Sequence, residues 1–135
     1  MFPSYRGRWL PDTPMQRKLV IERLRDWFPF SNSSPVEGIV EAIRTYYASG
    51  LRISLYVLGD EFTGSSIDSV LKSVDMINRE DKGGKRRVRI HALGFPVRPD
   101  APQVTSIRFA ALMRVLCERN GGTFVGLNEP GSYPR

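Results

Sequence analysis

Seven residues, Arg52–Leu58 (RISLYVL), constrain this chain more than any other stretch. The run is nearly continuous in apolar and β-forming residues. That composition suits a strand covered on both faces, as in a parallel sheet. It ends abruptly at Gly59-Asp60-Glu61 and gives way to Thr63, Ser65 and Ser66. Two further segments read as strands: 88–95 (VRIHALGF) and 123–127 (TFVGL).

Helical patterns stand between them. Residues 66–79 carry Ile67, Val70, Leu71, Val74 and Ile77 at a 3.6-residue period. A helix over 106–119 is stopped by Asn120-Gly121-Gly122. Two helices precede the first strand. The first runs over 14–28, with Thr13 as cap, Pro14 in its first turn, and Val20, Leu24, Trp27 and Phe28 on one face. "PFSNSSP" breaks it. The second starts at Pro35, where Ser34 and Glu37 form a Ser-x-x-Glu capping box. Its stripe is Val36, Ile39, Val40, Ile43 and Tyr47, and Gly50 ends it.

The order α-α-β-α-β-α-β predicts an α/β fold of the Rossmann-like, three-layer sandwich kind. A short parallel sheet of about three strands is flanked by helices through right-handed crossovers. Residues 1–13 read as an irregular N-terminal segment, 14–127 as the domain and 128–135 as a tail. The loops are the polar 80–87 (EDKGGKRR) and the proline-rich 96–102.

Size and charge bound what such a fold does. A chain of 135 residues can bury a core without disulfides or metal. Its single cysteine, Cys117, lies in an apolar helical pattern and reads as a buried, inert thiol. No intrachain disulfide is possible, which suits a reducing, cytoplasmic setting. No apolar run approaches the roughly 20 residues needed to span a bilayer, and "MFPSYRGRWLPDTP" lacks a signal-peptide core. Lys and Arg total 20 against 14 acids, a net charge of +6. That permits weak attraction to polyanions. No zinc spacing or RNA-recognition signature accompanies it.

Ligands of open α/β sheets gather at the C-terminal ends of strands. Asp60 and Glu61 lie at such an end, where they suit either a divalent ion or the N-terminus of the next helix. Ser34 is explained by its capping role. His91 is the only histidine and falls inside a strand, so it reads as a strand-face or core residue. Ser65, Ser66 and Ser69 have no base at recognisable spacing, and "GDEFTG" is neither a Walker A loop nor a dinucleotide fingerprint. No catalytic residue is expected. The basic cluster Lys82, Lys85, Arg86, Arg87 and Arg89 reads as a solvated loop.

The segments "SSPVEGIVEAI", "ISLYVLGDEF", "RVRIHALGF" and "LMRVLCERNGGTFV" together resemble the von Willebrand factor type A domain, over roughly residues 15–127. The resemblance implies a doubly wound sheet and a metal-ion-dependent adhesion site. In that site Ser34 matches a threonine ligand and Asp60 a late aspartate. Ser33, Glu61 and Thr63 would join the binding rim. The family's upstream Asp-x-Ser-x-Ser is not in this chain. What the sequence resembles is therefore the C-terminal portion of such a domain, with an incomplete site. No cofactor is expected, and magnesium only if the missing ligands come from elsewhere.

The implied function is a protein–protein interaction module. The alternatives are a magnesium-dependent hydrolase or phosphotransfer enzyme using Asp60 and Glu61, and nucleic-acid binding through the Lys82–Arg89 loop. In the family, the strand matched by 52–58 pairs with the first strand. Without that strand it becomes an apolar edge. Its expected cover is the N-terminal segment, a second copy of the chain, or another protein.

Overall fold

A computed structural model describes residues 2–26, 34–48, 50–64, 66–79, 83–96 and 103–127. Expectations for Trp27, Phe28, Ser33, Ser65, Lys82, the 97–102 connection and the 128–135 tail lie outside the described residues. The chain divides into two compact units, Met1–Ser33 and Ser34–Arg135.

In the first unit a 3-10 turn at Pro3–Tyr5 precedes helix α1, Pro14–Arg25. Thr13 caps α1 as expected: its hydroxyl accepts from the Gln16 N–H at 3.2 Å. Pro14 occupies the first helical position, where a missing N–H costs nothing. Arg17 pairs with Asp12 in a fork of 2.6 and 2.8 Å and holds the Asp12 carboxyl below its ordinary range. No residue of α1 is buried.

The second unit runs α2 (Pro35–Tyr46), β1 (Ile53–Gly59), α3 (Ile67–Ile77), β2 (Val88–Gly94), α4 (Gln103–Arg119) and β3 (Phe124–Gly126). The strands lie in the order β1-β2-β3, all parallel. Ile53 stands opposite Val88, Gly59 opposite Gly94, and Ala92 opposite Phe124. The α/β class, the parallel three-stranded sheet and the helices beside it are as the sequence predicts. Among the described residues no helix is long and apolar enough to cross a membrane.

Strand register decides which side chains are core. Ile53, Leu55 and Val57 share a face with Val88, Ile90, Ala92 and Phe124, and that face meets the helices. Onto it pack Ile39 and Ile43 of α2, Val70, Leu71 and Val74 of α3, and Phe109, Leu112, Met113, Leu116 and Cys117 of α4. One cluster holds side chains from all three helices, so within this unit all three stand on one face. Crossovers of one hand that advance in one direction along a sheet require this of α3 and α4.

The expectation that 52–58 is covered on both faces is therefore corrected. Burial in β1 alternates half-buried with exposed. The outer face carries Ser54, Tyr56 and Leu58 of β1, beside Arg89, His91 and Leu93 of β2 and Val125 of β3. Tyr56 is 60% exposed and Leu58 62%. Apolar content alone does not separate a buried face from an apolar face left open.

The end of α4 shows why its glycines are needed. Gly121 adopts a left-handed φ of 67°. The Gly121 N–H donates to Glu118 O at 3.2 Å and the Gly122 N–H to Cys117 O at 2.8 Å, the paired bonds of a Schellman motif. Gly122 also passes directly over β2. A Cβ there would lie 1.8 Å from the Ile90 carbonyl oxygen.

Two buried asparagines tie the layers together. The Asn78 side-chain oxygen accepts from the Val88 N–H at 2.8 Å, and its amide donates to Val88 O and to Asn120 Oδ1, each at 2.7 Å. Asn120 in turn donates to Leu116 O at 2.7 Å. The residue that ends α3 thus serves as a hydrogen-bonding partner for the first residue of β2. Sequence reading did not single out Asn78. Its only signal is an amide residue at a helix end directly before a polar loop.

Candidate functional site: the rim and the open sheet

The turn after β1 is built by burying one side chain. Phe62 is buried, and its N–H donates to Thr105 O at 3.0 Å. Arg108 of α4 stacks over the Phe62 ring at 5.2 Å and donates to Gly64 O at 2.7 Å. This anchor turns Asp60, Glu61 and Thr63 outward, and all three are exposed. Glu61 accepts from the Thr105 hydroxyl at 3.3 Å. At Ser34 the hydroxyl accepts from the Glu37 N–H at 3.4 Å, the capping contact its sequence predicts.

A magnesium site needs converging oxygen ligands. The ion takes six ligands in a near-octahedral set. Among the described residues no group of three or more His, Cys, Asp or Glu side chains converges. Ser34 and Glu61 each already hold a contact of their own.

The basic cluster separates into different environments. Arg86 is drawn inward: it pairs with Asp75 at 3.0 Å and donates to Asn78 O and Arg119 O at 2.9 and 3.1 Å. Asp75 also pairs with Arg119 at 3.1 Å. Arg87 lies over the Tyr47 ring at 5.2 Å. Arg89 points to the outer face of the sheet, and Lys85 is exposed. Alternation along the strand start sends neighbouring cations to different places, so they do not form one stripe.

The outer sheet face is the larger feature. His91 stacks on Tyr56 with ring centroids 5.0 Å apart and planes 15° from parallel. His91 Nδ1 accepts from the Thr123 N–H at 3.2 Å, which places a proton of the neutral ring on Nε2. Leu58, Leu93 and Val125 continue the apolar surface. β1 pairs only with β2 among the described residues, so among these its other side has no strand partner for its backbone groups.

Cys117 is buried under this sheet, and burial pushes its thiol up to about 11, against a weaker opposing contact from the Ala92 backbone. Such a thiol is not a nucleophile at neutral pH. No family model, curated protein or solved structure matches the chain.

Proposed function

We propose that the chain is a protein-interaction module that works by strand addition at β1. We propose further that it is similar to the C-terminal portion of a von Willebrand factor type A domain with an incomplete adhesion site. The observation that carries the reading is β1 itself. It is seven residues long, has no strand partner on one side among the described residues, and exposes Tyr56 and Leu58 on its outer face. Protected edges are short, charged, bulged or interrupted by proline. Ile53–Gly59 has no charge and no proline. The one-sided helix layer supports the family likeness, because a doubly wound sheet puts the helices of its two halves on opposite faces.

The edge is self-complementary in one orientation. A twofold axis perpendicular to the sheet sets two β1 strands antiparallel. With Tyr56 on the axis, all of Ile53–Gly59 finds a pairing residue. The same register puts Arg52 opposite the partner's Asp60, twice by symmetry. Leu55 faces the partner's Val57, and Tyr56 faces its own copy. Cross-strand ion pairs contribute about 0.2–1 kcal/mol each, and like charges cost similar amounts.

Sedimentation velocity over a concentration series tests this. The wild type self-associates. Asp60→Arg turns two attractive pairs repulsive and weakens the dimer by about 2 kcal/mol, roughly thirty-fold in Kd. The double exchange Arg52→Asp with Asp60→Arg restores it. A wild type that stays monomeric at several hundred micromolar, or a double exchange no better than the single change, contradicts the pairing.

A further inference from the structure

A recess of about 360 Å³ lies between the C-terminal ends of α2 and α3. Its lining is Ile43, Tyr47, Met76 and Ile77 together with Arg44, Arg79 and Arg87. From these residues we infer a binding site for a phosphomonoester carried on a flat aromatic body. The site is independent of the β1 edge.

The arginines of this region fall into two environments. Arg86 and Arg119 share Asp75 as counter-charge. Among the described residues, the lining of the recess places no acid beside its three arginines. Helix C-termini attract cations, and this accounts for part of the placement. Arg44 lies in the last turn of α2, and Arg79 Nε donates to Met76 O at 2.9 Å near the end of α3. Two helix ends supply about −0.5 charge each. Among the described residues, three guanidiniums against about one negative charge leave a positive surplus, which suits an anion such as a phosphomonoester. Arg87 precedes a strand rather than ending a helix, so the dipole argument does not reach it. Its guanidinium is held over the Tyr47 ring at 5.2 Å. Stacking fixes the plane of the fork and leaves its N–H edges available to oxygen acceptors.

The shape of the recess selects the rest of the ligand. Ile43 is buried and Ile77 half-buried, so the floor is apolar and fixed by the core. The volume falls at the small end of ligand pockets. A single ring fits that space, with phosphate oxygens at the arginine rim. A phosphotyrosine side chain and a nucleoside monophosphate share this chemistry.

Amide-detected NMR titration of the full chain with phenyl phosphate tests the site. Saturable shifts are expected at Arg44, Tyr47, Ile77 and Arg87, with a Kd of about 1 mM or tighter, weakening as salt is raised. Arg44→Gln and Arg87→Gln each weaken binding about ten-fold. Arg87→Lys recovers only part of the loss, because it restores charge without the stacked fork. Arg89→Gln, on the outer sheet face, leaves binding unchanged. Free phosphotyrosine binding more tightly than adenosine monophosphate assigns the peptide source, and the reverse order the nucleotide source. Absence of saturable shifts at 10 mM overturns the site. Inorganic phosphate binding as tightly as phenyl phosphate overturns the aromatic half of the inference.

Discussion

Replacing Asn78 with alanine strips partners from three buried groups at once: the Val88 N–H, the Val88 carbonyl and Asn120 Oδ1. Asn78 is 0% exposed, so solvent does not reach them without rearrangement. Each buried polar group left without a partner costs about 1–3 kcal/mol. Water entering the vacated space recovers part of this, where at least two polar groups line it. The expected loss is about 4 kcal/mol. Against a domain stability of about 5–15 kcal/mol that is a large fraction. It corresponds to a drop in Tm of roughly 15 °C. Urea unfolding followed by far-UV circular dichroism reads it directly. Asn78→Asp adds a signature that lost packing alone does not give. It keeps an oxygen for the Val88 N–H but sets a second oxygen against two acceptors. The neutral carboxyl is therefore favoured in the folded state, and its folded pKa lies above its unfolded one. The stability of this variant relative to wild type is greatest below the unfolded pKa and falls as pH rises through the folded one. An alanine variant within about 1 kcal/mol of wild type, well below the cost of one orphaned group, refutes the reasoning.

Gly122→Ala places a Cβ 1.8 Å from a backbone carbonyl that no side-chain rotation can clear. We expect a loss of about 3 kcal/mol by chemical denaturation, where Gly38→Ala, with open space around it, costs nothing. Cys117 resists thiol reagents at pH 8 in the native chain and reacts on unfolding. Its thiol is raised to about 11 when folded, from an ordinary value of 9.0, so it favours the fold fully below pH 9. That contribution is lost as pH rises towards 11, and Cys117→Ser flattens this part of the stability–pH curve.

Much of the fold is legible because period and punctuation agree. The stripe Ile67, Val70, Leu71, Val74 and Ile77 announces α3, and three of its members are buried. Thr13 and Ser34 cap the helices they precede. Gly121-Gly122 stops α4, though the motif does not reveal that one glycine serves its φ and the other a close approach. The site is less legible. Asp60 stands where a strand end puts it, but Phe62 sets the turn from beneath, through contacts to Thr105 and Arg108 far along the chain. Tyr56 and Leu58 look like core because hydropathy carries no record of which face a neighbour covers. Arg44, Arg79 and Arg87 come together only by folding, and Arg86 is removed from its apparent cluster by Asp75.

The most direct test of the account is hydrogen exchange at the amides of Ile53–Gly59, measured from low micromolar to several hundred micromolar chain. In dilute, monomeric samples the β1 amides that do not face β2 exchange rapidly. They become protected as concentration rises, while Ile90 and Ala92 of β2 stay protected throughout. Protection of all β1 amides in a sample that sediments as a monomer would contradict an open edge, and rapid exchange at every concentration would contradict its pairing with a second copy.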